Sequence, residues 1–292
     1  MPASIPNADT KFVHFVSFCY YGGMQTPFVT FRRLGRKGRL GNQLFQIAAA
    51  MGIARRHGYH CIFPPWPPAA WFKTELQQRM ISPRLYRRFH VRKHTEQSRE
   101  PYAITLHGNT DLDGYFQSYT WFEDCQDLIR QQFQPRQAIV DSLQRTHAAA
   151  LATSPCAVHI RRGDYVGAPH RFNIWKSDYY DRAFGLVDAT TFMLFSDDMP
   201  WVKKRFQGDQ FIYVTDQPPC ADLFLMSLCA CHIIPNSTFS WWGAWLANSS
   251  QVVYPLPWMA NRRKPVGLFP PHWTALTIPG RSLKKKRPDK RA

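Results

Sequence analysis

Two adjacent arginines follow directly on a short apolar run. Residues 157–160 have the length and composition of a buried strand, which ends in Arg161 and Arg162 and then turns at Gly163 before Asp164. Ligands of open α/β sheets bind beyond the carboxyl ends of the strands, so this order places two guanidinium groups in the usual ligand crevice. Guanidinium groups bind phosphate oxygens in bidentate fashion and stay charged when partly dehydrated. The run predicts an anion site; the alternative is a surface ion pair between one arginine and Asp164.

Strands and helices alternate with short connections after the two arginines. Further strands are predicted at residues 191–195, 211–214, 233–234 and 251–254, with a helix at residues 221–232. This alternation is typical of a parallel, doubly wound sheet, and the strand at 251–254 is expected to close it.

A second strand and helix lie in the first half of the chain. Residues 28–31 are a predicted strand, a glycine-rich loop follows at residues 35–43, and apolar residues then recur at helical spacing from Leu44 until Gly58. Free backbone N–H groups and the positive end of the helix dipole therefore face whatever enters the loop. The loop matches neither the Walker motif nor the dinucleotide fingerprint.

The length of 292 residues agrees with two domains. We expect an N-terminal α/β domain of residues 1–152 and a C-terminal domain of residues 153–292 that face each other across a cleft. Phosphate-binding elements would come from the two arginines and from a hydroxyl-rich helix start at residues 237–240 on one side. The glycine-rich loop would approach from the other side.

The formal net charge of +17 at pH 7 favours an anionic partner, such as nucleic acid, an acidic membrane surface or a phosphorylated ligand. No nucleic-acid-binding motif is present in the sequence. The basic tail at residues 284–291 is able to contact anionic lipid headgroups, although a merely solvated chain end has the same composition. The most apolar early stretch, residues 12–21, is too short to cross a bilayer and lacks the features of a secretory signal. We therefore expect a cytoplasmic protein, with peripheral membrane contact as an option.

Seven scattered cysteines do not form a disulfide framework. The tight cluster Cys229, Cys231 and His232 lies in an apolar helical pattern with no second Cys/His pair to complete a tetrahedral site. Buried core thiols are therefore expected there, and no metal.

Five motifs together resemble the α-1,2-fucosyltransferases of glycosyltransferase family 11. They are GRLGNQ at residues 38–43, GYFQS at 114–118, HIRRGDY at 159–165, FSDD at 195–198 and NSTFSWWGAW at 236–245. The resemblance covers roughly residues 29–258. It implies a GT-B-type fold, with two Rossmann-like domains facing a central cleft. It also implies inverting, metal-independent transfer of L-fucose from GDP-β-L-fucose to the 2-hydroxyl of a terminal β-galactoside.

The resemblance also implies roles for individual residues. In the related α-1,6- and protein O-fucosyltransferases, the arginine of a shared His-x-Arg-Arg motif contacts the donor pyrophosphate. Arg161 is accordingly the leading pyrophosphate ligand, with Arg162 beside it. The other donor-binding candidates are His159 at the nucleotide, Asp197 at the guanine edge, Ser237, Thr238 and Ser240 at the phosphates, and Asn42 and Gln43 from the opposite domain.

The chemistry of glycosyl transfer agrees with these assignments. Charge must be stabilised on the departing GDP, and Asp197 and Asp198 are adjacent rather than spaced as in the Asp-x-Asp metal motif, so arginines would take that role. No cofactor besides the donor substrate is expected. Attack also needs a base near the acceptor hydroxyl, for which Asp164 is the candidate, unless it orients Arg161 as an ion pair. Two other functions stay open: a fucosyltransferase with an α-1,6 or protein O-linked product, and a basic nucleic-acid-binding protein.

Overall fold

The computed structural model describes residues 26–73, 76, 79–82, 84, 89–96, 104–167, 174–258 and 267–278. The apolar stretch at residues 12–21 and the basic tail at residues 284–291 lie outside these ranges. None of the helices in the described ranges has both the length and the apolar character needed to cross a membrane.

Ten strands and eight α-helices make up the described fold. The strands are β1 (Phe28–Thr30), β2 (His60–Cys61), β3 (Arg92–Thr95), β4 (Thr110–Asp113), β5 (Cys156–Ile160), β6 (Phe192–Ser196), β7 (Phe211–Tyr213), β8 (Cys231–Ile233), β9 (Gln251–Leu256) and β10 (Thr274–Thr277). The helices are α1 (Leu40–Arg56), α2 (Gln126–Gln132), α3 (Gln137–Thr146), α4 (Ala148–Leu151), α5 (Tyr179–Ala183), α6 (Met199–Arg205), α7 (Pro219–Ser227) and α8 (Thr238–Leu246).

The strands form two sheets, and every strand pair in them is parallel. The first sheet has the order β2-β1-β4-β3, and the second has the order β10-β9-β8-β5-β6-β7. Strand β5, which carries the arginines at its end, lies in the interior of the second sheet and is buried at all five positions. A strand that is covered on both faces is apolar throughout, which is the pattern that the sequence shows. The α/β class is thus confirmed.

Two local predictions for the second half of the chain are wrong. The helix predicted to reach residue 232 ends at Ser227, and Cys231 and His232 belong to β8. The apolar residues of both segments are buried and nearly continuous, so they carry no period that separates helix from strand. The sheet is also not closed by β9, because β10 pairs with it in parallel from Thr274 to Thr277.

Helix α1 begins at Leu40, so residues 40–43 of the predicted glycine-rich loop form its first turn, and it ends at Arg56, two residues before the predicted stop at Gly58. Gly58 has a φ of +66°, a conformation that glycine adopts without strain. Residues of α1 are buried on nearly every side, because the helix packs on β1 and also against α8 of the second half.

The two halves share one apolar core. Trp241, Trp242 and Trp245 of α8 are almost fully buried and pack on Phe45 of α1 and on Phe122. After β9 the chain also returns to the first half, which it contacts at Gly267. The Gly267 carbonyl accepts hydrogen bonds from the Tyr119 N–H at 2.7 Å and from the Ser118 hydroxyl at 2.7 Å. The boundary between residues 152 and 153 stays a prediction.

Candidate active site

A cleft of about 1010 Å³ lies between the two sheets. Its walls come from the carboxyl ends of β5 and β6, from the first residues of α1 and α8, and from the turn after β4. Parallel strands open their ligand crevices at this end, and both helices direct their unpaired N–H groups into it. The arrangement favours an anionic ligand.

Arg161 enters this cleft from the end of β5. Its Nη2 lies 2.6 Å from Asp164 Oδ1, and its Nη1 lies 2.9 Å from Asp197 Oδ2. The side chain is only 16% exposed. Two carboxylates thus hold the planar guanidinium in one orientation, which reduces the conformational entropy lost when it binds an anion.

Asp164 connects the two sides of the cleft. Besides Arg161, its carboxylate contacts Arg39 Nη2 at 3.4 Å, and Arg39 belongs to the glycine-rich loop of the first half. The carboxylate is 41% exposed, so it is accessible to a ligand.

Arg162 does not line the cleft. Its guanidinium is bound to the carboxylate of Asp198 and lies between two indole rings, with centroids 4.7 Å away for Trp175 and 5.0 Å away for Trp201. Adjacent side chains at the end of a strand point to opposite faces, so only one of the two arginines turns toward the ligand. Arg162 therefore binds Asp198 at the start of α6 and not the cleft.

Asp197 accepts hydrogen bonds from the loop after β5. Its Oδ1 accepts from the backbone N–H groups of Arg162 at 2.9 Å and Gly163 at 3.0 Å, while Oδ2 faces Arg161. Gly163 leaves room for this contact, because a Cβ there would lie 2.6 Å from Asp197 Oδ2. Asp197 lines the cleft, but in this arrangement its carboxylate shapes the arginine loop.

His159 and Ser240 form a buried pair behind the cleft. His159 Nδ1 lies 2.9 Å from Ser240 Oγ, and burial lowers the pKa of His159 to about 4. The imidazole is therefore neutral at physiological pH. His159 lines the cleft, whereas Ser240 is 1% exposed and does not.

The first turns of α1 and α8 touch across the cleft. A Cβ on Gly41 would lie 2.5 Å from the backbone nitrogen of Phe239, so only glycine allows this approach. Next to it, Asn42 Oδ1 accepts hydrogen bonds from Thr238 Oγ1 at 2.9 Å and from Gln117 Nε2 at 2.8 Å. Two positive helix ends thus meet at one point of the cleft.

The other predicted residues of these turns differ in position. Ser237 lines the cleft, and its side chain makes no capping hydrogen bond to α8, contrary to the ordinary role of a serine at that position. Gln43 instead turns into the first half, where it donates to the Gly38 carbonyl and accepts from Trp66 Nε1 at 2.7 Å. Gln43 therefore does not line the cleft.

Asp222 is a cleft residue that the sequence reasoning missed. It lies in the first turn of α7, and within the described part of the chain its Oδ1 has no hydrogen-bond partner although it is buried. Burial raises the pKa of Asp222 to about 7. A lone carboxylate in the largely apolar stretch from residue 219 to 234 is the signal that could have found it.

Within the described ranges, no group of three or more His, Cys, Asp or Glu side chains could hold a metal ion. Cys229 and Cys231 are buried in the core of the second half, and His232 Nε2 lies 2.8 Å from the Met226 carbonyl. That the protein works without a metal stays a prediction.

Two facing parallel sheets with a cleft between them are typical of GT-B-type glycosyltransferases. The family model for glycosyl transferase family 11 matches residues 35–276. The chain belongs to this family.

Relatives of the chain include both bacterial and mammalian enzymes. The Escherichia coli O-antigen biosynthesis glycosyltransferase WbnK is 34% identical over 52% of this chain and 56% of its own length. An alpha-1,2-colitosyltransferase of Escherichia coli is 30% identical over 57% of this chain and 61% of its own length, so the matches to both bacterial relatives span less than two thirds of them. The human galactoside alpha-(1,2)-fucosyltransferase 1 is 27% identical over 82% of this chain and 73% of its own.

Solved structures show the same fold. A NodZ alpha-1,6-fucosyltransferase soaked with GDP-fucose superposes with a TM-score of 0.54 at 17% identity. The superposition covers 76% of this chain and 93% of the NodZ chain. POFUT1 in complex with GDP-fucose superposes with a TM-score of 0.51 at 11% identity. This superposition covers 76% of this chain and 95% of the POFUT1 chain. The GT-B-type fold class is thereby confirmed.

Proposed function

We propose that the protein transfers L-fucose from GDP-β-L-fucose to the 2-hydroxyl of a terminal β-galactoside, with inversion and without a divalent metal. The observation that carries the proposal is the position of Arg161, held in the cleft beside two helix N-termini. These groups supply positive charge where the pyrophosphate of a nucleotide sugar would gain negative charge as it departs. The relatives named as galactoside α-(1,2)-fucosyltransferases support the choice of linkage and acceptor, and the NodZ structure soaked with GDP-fucose supports the choice of donor.

Asp222 is the group best suited to the guanine base in this proposal. The Watson–Crick edge of guanine presents an N1–H and an amino group, which are both donors, and an ionised carboxylate is an acceptor for both. Asp197, the residue predicted for this role, already accepts three contacts from the arginine loop. A buried acceptor without a partner costs free energy until a ligand donates to it.

Asp164 is the candidate base, and its contacts suggest how it becomes available. In the absence of the donor its carboxylate is paired with Arg161 and Arg39. When the pyrophosphate takes over Arg161, one carboxylate oxygen loses its partner and is free to accept the proton of the acceptor hydroxyl. Donor binding would thus prepare the base for the acceptor.

Replacement of Asp222 by asparagine is expected to weaken GDP binding about 10-fold to 100-fold, the scale of a hydrogen bond to a charged group. Discrimination against ADP should fall with it, because guanine presents two adjacent donors to the carboxylate, whereas adenine presents one amino donor beside an acceptor nitrogen. For the wild type, affinity should also fall as the pH drops below 7, where Asp222 becomes protonated. Isothermal titration calorimetry with GDP and ADP between about pH 5.5 and 8.5 measures the GDP affinity, the discrimination against ADP and the pH dependence.

The exposed Asp209 provides the control for that experiment. Asp209→Asn removes the same charge from the surface and should leave GDP affinity unchanged. The terminal phosphate of GDP also titrates in this range, so the comparison of Asp222→Asn with the wild type isolates the carboxylate. An equal pH dependence of GDP affinity in the wild type and in Asp222→Asn would contradict the role of Asp222.

Incubation of the protein with GDP-fucose and a panel of β-galactosides in EDTA is expected to release GDP and yield α-1,2-linked products. Linkage analysis separates this result from an α-1,6 or protein O-linked product. A strict requirement for manganese or magnesium would contradict the metal-independent mechanism. Absence of any fucosylated product across the panel would contradict the proposed activity.

A different donor sugar is the second candidate. One bacterial relative is named as a colitosyltransferase, so the family accommodates more than one transferred sugar. The same assay with a colitosyl donor distinguishes the two candidates by the relative kcat/KM of each donor.

A further inference from the structure

A rigid aromatic turn lies at the edge of the cleft in the first half. Tyr115 follows β4, lines the cleft and is 43% exposed. Its backbone N–H donates to Glu96 Oε2 at 2.8 Å, and the next residue, Phe116, is fully buried with a φ of +50°. Gly114 is closely packed, since a Cβ there would lie 2.4 Å from the Cβ of Glu96. The ring is therefore presented to the cleft by a fixed backbone.

A positively charged cluster, formed by Arg33, Lys37 and Lys93, adjoins this ring. Lys37 Nζ lies 5.3 Å from the centroid of Tyr115 and 2.7 Å from Asp113 Oδ1. Lys93 Nζ lies 2.8 Å and Arg33 Nη1 lies 3.8 Å from Asp113 Oδ2. Three cations share this single carboxylate, whose pKa the lysine hydrogen bonds lower to about 2, so it stays ionised.

The cluster keeps an excess of positive charge when its surroundings are counted. Residues 32–39 contain five arginines and lysines and no carboxylate. Glu96 and Asp111 also lie near the cluster, so together with Asp113 three carboxylates face these five cations and Lys93. The side chains of Arg33 and Lys93 are 57% and 59% exposed, so their charges reach the solvent. An uncompensated positive field of this kind attracts an anion.

Helix α1 fixes the basic loop and the aromatic turn relative to each other. Gln46 Nε2 donates to the Lys37 carbonyl at 3.2 Å and to the Gly114 carbonyl at 3.2 Å. The aromatic face and the positive cluster are thus parts of one surface that a single ligand would contact.

We propose that Tyr115 and the cluster of Arg33, Lys37 and Lys93 form an acceptor subsite for an acidic glycan, in which a sugar packs on the ring and a neighbouring carboxylate or phosphate faces the cations. The flat apolar face of tyrosine suits the C–H face of a hexose, and the cations suit anionic oxygens. The inference rests on the proposed function, because it assigns the glycan that the fucosyltransferase would modify.

Binding of three acceptors in the presence of GDP tests the subsite without turnover. The probes are a neutral β-galactosyl disaccharide, the same disaccharide extended by a glucuronate, and the same disaccharide with an anomeric phosphate. We expect at least one acidic probe to bind about 10-fold more tightly than the neutral one at low salt, with the preference lost at high salt. Tighter binding of only one acidic probe identifies the anionic group. Equal binding of all three would overturn the proposal.

Matched double variants assign the preference to the cluster. Arg33→Gln/Lys93→Gln removes the two exposed cations and is expected to reduce the ratio of acidic to neutral affinity by about fivefold or more. Lys204→Gln/Arg205→Gln removes the same charges from the end of α6 and should leave the ratio unchanged. An equal loss in both variants would overturn the proposal. If the acidic preference persists while no probe becomes fucosylated, the proposed activity fails and the subsite stands.

Discussion

Replacement of Arg161 by alanine is expected to lower kcat about 100-fold to 1000-fold, the effect of removing one preorganised donor to a developing anion. Asp197 holds the guanidinium at Nη1, and the pyrophosphate would replace Asp164 at Nη2, so the group is already oriented when charge builds up on the departing nucleotide. Lysine at this position should recover only part of the activity, because it keeps the charge but not the planar fork.

Single-turnover kinetics with GDP-fucose and a β-galactoside measure this effect. Arg205→Ala is the matched control, since Arg205 on α6 forms an exposed pair with Asp181 on α5 and its loss should leave kcat unchanged. Turnover of Arg161→Ala within a few-fold of the wild type would rule out the pyrophosphate role. A folded variant is verified by its unfolding midpoint, because the loss of Arg161 also leaves two carboxylates without their shared partner.

Replacement of Trp242 by alanine is expected to lower the free energy of unfolding by about 3–5 kcal/mol, the usual cost of truncating a fully buried aromatic residue. The ring packs on Phe45, Phe122 and Phe133, with centroid distances of 4.9, 5.6 and 5.2 Å. Its Nε1 also donates to the Gly41 carbonyl at 3.0 Å, so the truncation removes a contact between the two halves.

Denaturant unfolding, followed by circular dichroism, provides the measurement. Leu186→Ala serves as the control because Leu186 is 49% exposed, and surface changes of this kind shift stability by about 0.5 kcal/mol or less. If Trp242→Ala lowers the free energy of unfolding by less than about 1 kcal/mol, the stability of the two halves does not depend on their common core. Two separate transitions in the wild type would point to the same conclusion.

The parts of the fold that depend on local pattern could be predicted from the sequence. Helix α1 follows from apolar spacing between a glycine-rich loop and Gly58, and β5 follows from an apolar run that stops at Arg161. The helix that ends at Ser227 and the strand that begins at Cys231 could not be separated, because a nearly continuous apolar run lacks the period that distinguishes a helix from a strand.

The candidate site was predictable at the level of motifs and less so at the level of single side chains. A motif states that Arg161 and Arg162 are neighbours, but the pleat of the strand and the indole rings beside Asp198 decide which of them faces the cleft. Asp222 belongs to no quoted motif, and its role depends on burial, which appears only when α7 is packed beside α8. Expectations about localisation and membrane contact stay predictions.

The contact at Gly41 limits how the halves of the enzyme can separate. Backbone atoms of α1 and α8 meet there with no side chain between them, and the Trp242 hydrogen bond ties the same peptide. A side chain at position 41 would have to push the first turns of α1 and α8 apart, and both turns line the cleft.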